Sequence, residues 1–299
     1  AEAAIAEVSA SGELLSGSTV TAVRADSTCI DSAVASANAE KLITSDKVNG
    51  IMGADCSGVT GAILANVAMA NGMVMISPSA TSPGLTTLDD KGYFFRTAPS
   101  DARGGQILAD VTKDRKIKSV AITYTNNDYG KGLADVYKAA VEAHGIKVTT
   151  VTAHEDGKAD YSSEVATLAS AGGDAVAVIG YLDQGGKGII QASLDSGAFD
   201  TFILSDGMIG DSLIDAFGKS LNKSFGSLPG STGKGSKIFA TVAEAAGIDP
   251  SGPYTGESYD AAALIVLAIQ AGGSADRGSI AKNVMAVANG PGKKIYPGE

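Results

Sequence analysis

The stretch that decides the fold is VNGIMGADCSGVTGAILANVAMANGMVMISPSAT, residues 48–81. Apolar runs at 48–54 and 74–77 flank a segment, 59–70, whose apolar residues recur at helical spacing. Strand, helix and strand in this order form the unit from which parallel sheets with crossover helices are built. The stretch therefore predicts an α/β fold.

The same alternation continues on both sides of this stretch. Further strands are predicted at 19–26, 93–97, 117–124, 148–151, 174–180 and 201–204. Helices are predicted at 33–44, 131–144, 159–171, 187–196, 236–246 and 258–271, and the chain opens in helical sequence at 1–8. Because 299 residues exceed the usual size of one domain, we expect two doubly wound, Rossmann-like lobes.

Two segments are expected to connect the lobes. Residues 96–101 are rich in turn formers, and residues 226–235 are rich in Gly and Ser. With these as crossovers of a multi-crossover hinge, lobe 1 would comprise 1–98 and 231–288. Lobe 2 would comprise 102–229 and 289–299.

The composition excludes several classes of partner. A formal net charge of -10 and a pI near 4.7 argue against binding to nucleic acid or to an anionic membrane. The most apolar stretch, 261–269, is too short to span a bilayer and predicts a buried core helix. No signal-peptide pattern opens the sequence, so we expect a chain that is either cytoplasmic or already processed.

The two cysteines allow two interpretations. Cys29 and Cys56 each follow a predicted strand, and these two strands would be neighbours in a βαβ unit. They are either free thiols that pack as small apolar side chains or a disulfide, which requires an oxidising compartment. A metal site is not expected, because His144 and His154 lie far from both cysteines in the sequence.

Hydroxyl groups follow two successive predicted strands of the first lobe. Ser57 stands at the predicted start of a helix, and Ser79, Ala80 and Thr81 follow the run 74–77. Each group alone is explained by an ordinary helix cap or turn. Together, at neighbouring strand ends, their hydroxyls and backbone N–H groups predict a site for an anion such as a carboxylate.

The second lobe carries a different set of side chains at its strand ends. Tyr129, Tyr181 and Asp206 each follow a predicted strand, and a solvated loop residue is the simplest explanation of any one of them. Three at corresponding positions of one sheet form a pattern. A carboxylate there would pair with a cationic group, and two phenols would supply apolar walls and hydrogen bonds.

No motif for catalysis or for a cofactor accompanies these residues. The run GKGLAD at 130–135 lacks the third glycine of a dinucleotide fingerprint, and GKG at 233–235 is not a phosphate loop. There is no G-x-S-x-G elbow and no H-E-x-x-H metal motif. The sequence therefore predicts a binder without a cofactor or metal rather than an enzyme.

Several of these motifs resemble one known family. They are DSTC at 26–29, GADCSG at 53–58, MISPSATSPGLT at 75–86, FRT at 95–97, NDYGKG at 127–132 and SYDAA at 258–262. With them the chain resembles, over nearly its whole length, the leucine/isoleucine/valine-type periplasmic binding proteins. These are the type I solute-binding components of bacterial ABC transporters.

The resemblance implies roles for the candidate residues. It pairs Cys29 with Cys56 in a disulfide. It assigns the ligand α-carboxylate and part of the α-ammonium to the first lobe, to Cys56-Ser57 and Ser79-Ala80-Thr81. It assigns the α-ammonium to Asp206, and it places Tyr129 and Tyr181 on the closing face of the second lobe. It also implies that a leading strand and a closing segment of the family are absent from the two ends of this sequence.

The expected function is that of a periplasmic, monomeric receptor. It would capture a small amino acid, expected to be aliphatic or branched-chain, in the cleft between the lobes and deliver it to a membrane permease. Two alternatives stay open at this point. One is a binder of a carboxylate or amide that lacks an ammonium group, such as an aromatic acid or a urea-like compound, and the other is the ligand-sensing domain of a receptor or regulator.

Overall fold

Helices and strands alternate throughout the computed structural model, which describes residues 1–299. The elements, in chain order, are α1 (Glu2–Ser11), α2 (Ser32–Thr44), β1 (Ile51–Met52), α3 (Ser57–Ile63), β2 (Met75–Ser77), α4 (Gly84–Thr87), β3 (Phe94–Arg96), α5 (Asp101–Asp114), β4 (Ser119–Thr125), α6 (Asp128–Ala143), β5 (Lys147–His154), α7 (Ser162–Ala171), β6 (Ala175–Ile179), α8 (Lys187–Ser196), β7 (Phe202–Leu204), α9 (Asp211–Phe217), β8 (Phe225–Gly226), α10 (Lys234–Ala245), α11 (Thr255–Gly272) and α12 (Arg277–Asn289).

The chain divides into two compact units. The first unit comprises Ala1–Ala80, Leu88–Ala98 and Gly230–Glu299, and the second comprises Thr81–Thr87 and Pro99–Pro229. Each unit contains one parallel sheet, with strand order β1-β2-β3 in the first and β5-β4-β6-β7-β8 in the second. The predicted architecture of two parallel α/β lobes is therefore confirmed.

Two short segments lie in the opposite unit from the one expected. Residues 81–87 belong to the second unit, where the Ser82 hydroxyl donates to the backbone carbonyl of Asp128 at 3.0 Å. Residues 289–299 belong to the first unit, where the ammonium group of Lys234 lies 4.3 Å from the centroid of the Tyr296 ring. The expected bounds had placed 81–87 within the continuous range 1–98 of lobe 1 and 289–299 in lobe 2.

The second sheet is covered by helices on both faces. In β6, Ala175, Ala177 and Ile179 belong to a core that includes side chains of α5 and α6. The intervening Val176 and Val178 belong to a second core that includes side chains of α7 and α8. A strand buried on both faces reads as a continuous apolar run, which is why AVAVI in β6 carries no polar residue.

The first sheet is shorter than the sequence predicts. The run 19–26 has the alternation of a strand, but the structure contains no strand there. Its amides donate no backbone–backbone hydrogen bond, and the Val20 amide binds the Ser9 hydroxyl at 3.1 Å instead. Strand propensity forms a strand only where a neighbouring backbone is available to pair, and this run has no ladder partner.

The first core lies between β2 and the C-terminal helices. Val74 and Ile76 pack with apolar residues of α11 and α12, among them Val266, Ile269 and Ile280. The stretch 261–269 lies within α11, as the sequence predicts for a core helix. No helix of the structure combines the length and the apolar character that crossing a bilayer demands.

Candidate functional site

The first unit presents hydroxyl groups beyond β1 and β2. Cys56 caps α3, and Ser57 is the first residue of that helix and is almost fully buried. Cys56 is bonded to Cys29, with 5.3 Å between their Cα atoms. The structure therefore contains a disulfide, and this bond joins the start of α3 to the loop before α2.

Ser77, the last residue of β2, connects the loops that follow the two strands. Its hydroxyl donates to the carbonyl of Ala54 at 2.6 Å and accepts from the amide of Ala80 at 2.9 Å. The Ser79 hydroxyl lies 3.0 Å from the Asp55 carbonyl and also contacts the Asp55 carboxylate. The turn that carries Ser79 and Ala80 is thus fixed to the loop before Ser57.

The remaining hydroxyl of this set begins the second unit. Thr81 is 1% exposed, and its carbonyl accepts a hydrogen bond from the amide of Asp101 at 2.9 Å. The Ala80 carbonyl, on the first-unit side of this boundary, accepts from the Arg96 guanidinium at 2.9 Å. A guanidinium and a backbone amide thus hold the chain on the two sides of the boundary between Ala80 and Thr81.

The second unit brings its three predicted residues together. The rings of Tyr129 and Tyr181 stack with their centroids 5.1 Å apart and their planes inclined by 22°. The phenol oxygen of Tyr129 lies 2.7 Å from a carboxylate oxygen of Asp206 and 2.9 Å from the hydroxyl of Ser205. A phenol has one proton, so if it donates to the carboxylate, the Ser205 hydroxyl donates to the phenol.

The location of this cluster follows from the strand order. β4 lies between β5 and β6, the two strands that follow it in the chain. The connection from β4 to β5 and the connection from β5 to β6 therefore run in opposite directions across the sheet, which creates a topological switch point. Ligands of open α/β sheets bind outside the carboxyl ends of the strands at such a point. Tyr129 follows β4 and Tyr181 follows β6, so both phenols stand at the switch point.

The electrostatics of the cluster are those of a buried anionic site. Tyr129 is 2% exposed and Asp206 is 8% exposed. Burial raises the pKa of the Tyr129 phenol well above its ordinary value, and the negative charges of Asp206 and Asp101 raise it further. The phenol is therefore protonated throughout the physiological range and serves as a hydrogen-bond donor.

Glycines on either side of the cluster make its close packing possible. A Cβ on Gly207 would lie 2.5 Å from the carbonyl oxygen of Gly180 and 3.1 Å from the Tyr129 phenol oxygen. The Gly207 amide itself donates to that phenol oxygen at 3.2 Å. Ser205 and these glycines escaped the sequence analysis, although a small residue on each side of Asp206 was a signal of close backbone approach.

The structure offers no metal centre. No group of three or more His, Cys, Asp or Glu side chains is arranged to hold a metal ion. The chemistry of the two sets of strand ends is instead that of hydrogen bonding and charge pairing. The first unit supplies hydroxyls and backbone N–H groups, and the second supplies a carboxylate and phenols.

These features define a class, a solute-binding protein built from two parallel α/β units. The sequence comparisons then give the family: a model of the family described as periplasmic binding protein matches residues 1–289. The chain belongs to this family. The recognition made from the sequence motifs and the periplasmic location expected from it are thereby confirmed.

Individual relatives support the same assignment. Leu/Ile/Val-binding protein homolog 3 of Brucella melitensis is 35% identical over 150 residues, which cover 50% of this chain and 40% of the relative. Homolog 1 of the same organism is 31% identical over 291 residues, which cover 94% of this chain and 75% of the relative. The present chain thus matches less than half of the first relative and three quarters of the second.

A solved structure extends the similarity to three dimensions. It is the branched-chain amino acid transporter substrate binding protein LivJ of Streptococcus pneumoniae, in complex with isoleucine. The two chains are 25% identical and superpose with a TM-score of 0.80, over 96% of this chain and 81% of LivJ.

Proposed function

We propose that this protein is an extracytoplasmic receptor that binds a small aliphatic amino acid and delivers it to the permease of an ABC transporter. The names of the Brucella relatives and the isoleucine bound to LivJ support a branched-chain ligand. The observation that carries the proposal is the carboxylate of Asp206, buried at a strand end and oriented by the Tyr129 phenol.

In this proposal the two units bind opposite ends of the ligand. Ser57 and the segment from Ser79 to Thr81, next to Cys56, hold the α-carboxylate through hydroxyls and backbone N–H groups. Asp206 neutralises the α-ammonium, and Tyr129 and Tyr181 form the wall beside it. Both ligand charges need such partners, because an amino acid that leaves water loses the solvation of each.

The ligand leaves the protein unchanged, and the protein acts as a monomer. The proposal rests on the family, which is described as periplasmic binding protein. Turnover of any ligand during prolonged incubation, detected by mass spectrometry, would contradict the first part. A doubling of the mass in analytical ultracentrifugation would contradict the second.

The decisive experiment compares three ligands on two variants by calorimetry. The ligands are leucine, 4-methylpentanoate, which lacks the ammonium, and isopentylamine, which lacks the carboxylate. Asp206→Asn keeps an acceptor for Tyr129 but removes the charge. We expect it to weaken leucine by about 2–5 kcal/mol, because it leaves a buried ammonium without its counterion.

The control is Asp211→Asn, which removes an exposed carboxylate from the same unit. It should leave the affinity for leucine unchanged. If Asp206→Asn weakens leucine and 4-methylpentanoate equally, Asp206 does not contact the ammonium. If wild-type protein binds aromatic acids or urea-like compounds in preference to every amino acid tested, the alternative ligand class is correct.

A further inference from the structure

A chain of hydrogen bonds in the second unit leads to the start of α6, the helix that carries Tyr129. Thr125 is the last residue of β4 and is fully buried, and Asn127 caps α6. Asp156 lies two residues beyond the end of β5. Hydrogen bonds between these side chains therefore connect two neighbouring strand ends to the first turn of the helix.

The direction of these hydrogen bonds is fixed by a backbone amide at one end. The Gly130 amide can only donate, and it donates to Oδ1 of Asn127 at 3.0 Å. The Nδ2 group of Asn127 therefore faces the Thr125 hydroxyl, to which it donates at 3.2 Å. That hydroxyl has one proton, which it donates to the Asp156 carboxylate. The chain thus ends on a group that accepts.

The Asp156 carboxylate depends on this one donor. Its Oδ1 atom is buried and accepts no hydrogen bond, so the Thr125 hydroxyl is its single hydrogen-bonding partner. Burial raises the pKa of the carboxyl group, and the hydrogen bond from Thr125 offsets part of that rise. Because hydrogen bonds to an ionised acceptor are the strong ones, the carboxylate holds the Thr125 hydroxyl, and with it the Asn127 amide, in one orientation.

Tyr129 lies inside the turn that this cap closes. Asn127 precedes α6 and Gly130 is its third residue, so the hydrogen bond between them spans Tyr129. A Cβ on Gly130 would lie 2.2 Å from the carbonyl oxygen of Thr125, which shows how closely the turn packs against the end of β4. A shift of this turn therefore moves the phenol relative to Asp206, the carboxylate that lies 2.7 Å from it.

We propose that Asp156 is a positioning residue for ligand binding. Through Thr125 and Asn127 it fixes the start of α6. The fixed start keeps the Tyr129 phenol in place to donate to Asp206, which then faces the cation that it binds. This role rests on the proposed receptor function for the identity of the ligand, but the position of the phenol is measurable without one.

Nuclear magnetic resonance measures that position in ligand-free protein isotopically labelled at tyrosine Cζ, the carbon that bears the hydroxyl. The Tyr129 resonance is identified by its loss in Tyr129→Phe. Thr125→Val replaces the hydroxyl with a methyl group, and we expect it to shift the Tyr129 resonance. Thr125→Ser restores the hydroxyl and should restore the resonance. Asp156→Ala should shift the resonance in the same direction, and Asp156→Asn, which keeps an acceptor oxygen, should not.

Thr123→Val is the matched control. Thr123 lies on the same face of β4 as Thr125 and is equally buried. Its hydroxyl lies 2.8 Å from Nδ1 of His154 and has no link to the cap of α6. The control should leave the Tyr129 resonance in place and change the affinity for leucine less than about twofold, because it is independent of the chain.

Calorimetry with leucine tests whether the chain acts through Tyr129. Thr125→Val should weaken leucine about fivefold, which corresponds to the loss of one hydrogen bond. In the Tyr129→Phe background the same change should weaken leucine less than about twofold, because the phenol that it positions is already absent. Asp156→Ala should show the same dependence on Tyr129. If one of the two variants fails to fold, the other decides.

Two results would overturn the proposal. One is a Tyr129 resonance that stays in place in Thr125→Val or in Asp156→Ala, which would mean that stacking on Tyr181 is enough to hold the phenol. The other is an equal loss of leucine affinity with and without the phenol, which would mean that the chain affects binding only through stability. If wild-type protein binds no leucine but the resonance shifts and recovers as expected, the receptor proposal fails and the positioning role of Asp156 stands.

Discussion

The two units use the same parallel α/β plan but complete it to different degrees. In the second unit five strands pair in one sheet, and β6 is paired on both sides and buried on both faces. In the first unit only three strands pair, and β1 is paired on one side. The first unit also contains the Cys29–Cys56 disulfide, and the second contains no cysteine.

The two units also differ in the chemistry of the residues that follow their strands. Beyond β1 and β2 lie hydroxyls and backbone amides, to which we assign the ligand carboxylate. Beyond β4, β6 and β7 lie two phenols and the Asp206 carboxylate, which favour a cation. The comparison teaches that one architecture can carry different polar groups at its strand ends, because the residues just after the strands are free to vary.

Removal of the disulfide should have the largest effect on the difference in stability between the two units. The bond closes a loop with a sequence separation of 27, and the chain-entropy model assigns such a loop about 3.5 kcal/mol of stabilisation. Replacing both cysteines with serine should therefore raise amide hydrogen exchange in the slowest-exchanging parts of the first unit several hundredfold.

The internal control of that experiment is the second unit, which contains no cysteine. The protection of β4, β6 and β7 should stay at its wild-type level in the same sample. Equal losses of protection in both units would show that the two units unfold together. The disulfide would then not stabilise the first unit selectively.

The next largest effect is a pH dependence of the free energy of unfolding, which is caused by a histidine of the second unit. His154 is buried, and its Nδ1 atom lies 2.8 Å from the Thr123 hydroxyl. Burial lowers the pKa of His154 to about 4, and the nearby charge of Glu164 offsets this only in part. In the unfolded chain the same group has a pKa near 6.5.

The sign follows from proton uptake. Above pH 6.5 the imidazole is neutral in both states and has no effect. As the pH falls towards 4 the unfolded chain binds the proton first, so the free energy of unfolding decreases, in total by about 3 kcal/mol. Urea titrations of His154→Asn should show a shallower decline over this interval. His154→Gln, a second neutral replacement, should give the same shallower decline.

The sequence predicts most of the second sheet because each strand there has a neighbour to pair with. The apolar run in β6 and the helical spacing in α6 needed no knowledge of the rest of the chain. The helix α5 was not predicted, because Gly104 and Gly105 weaken its helical pattern. The structure explains Gly105, since a Cβ there would lie 2.8 Å from a methyl carbon of Val136 in α6.

Predictions for the first unit were less complete because they depended on long-range pairing. The alternation in 19–26 is typical of a strand, and no local signal shows whether a partner is present. In the candidate site, Tyr129, Tyr181 and Asp206 were found from their positions after strands. Ser205 was not, because its role depends on hydrogen bonds to the Tyr129 phenol and the Gly180 amide that sequence spacing does not encode.

The smallest effect separates the two buried phenols that lie on one helix of the second unit. Tyr129→Phe removes the hydrogen bond to Asp206, and Tyr137→Phe removes a bond of 3.0 Å to the Thr112 hydroxyl. Tyr137→Phe should cost about 1 kcal/mol in the free energy of unfolding, since it deletes one buried hydrogen bond. Tyr129→Phe should cost about 2 kcal/mol, since the Ser205 hydroxyl and the Gly207 amide also lose their contact with the phenol oxygen. Only Tyr129→Phe should also weaken leucine binding, by about tenfold, because Asp206 then loses the donor that orients it. Calorimetry on both variants checks this difference. An equal loss of affinity in both would mean that the stability of the second unit, rather than the orientation of Asp206, limits binding.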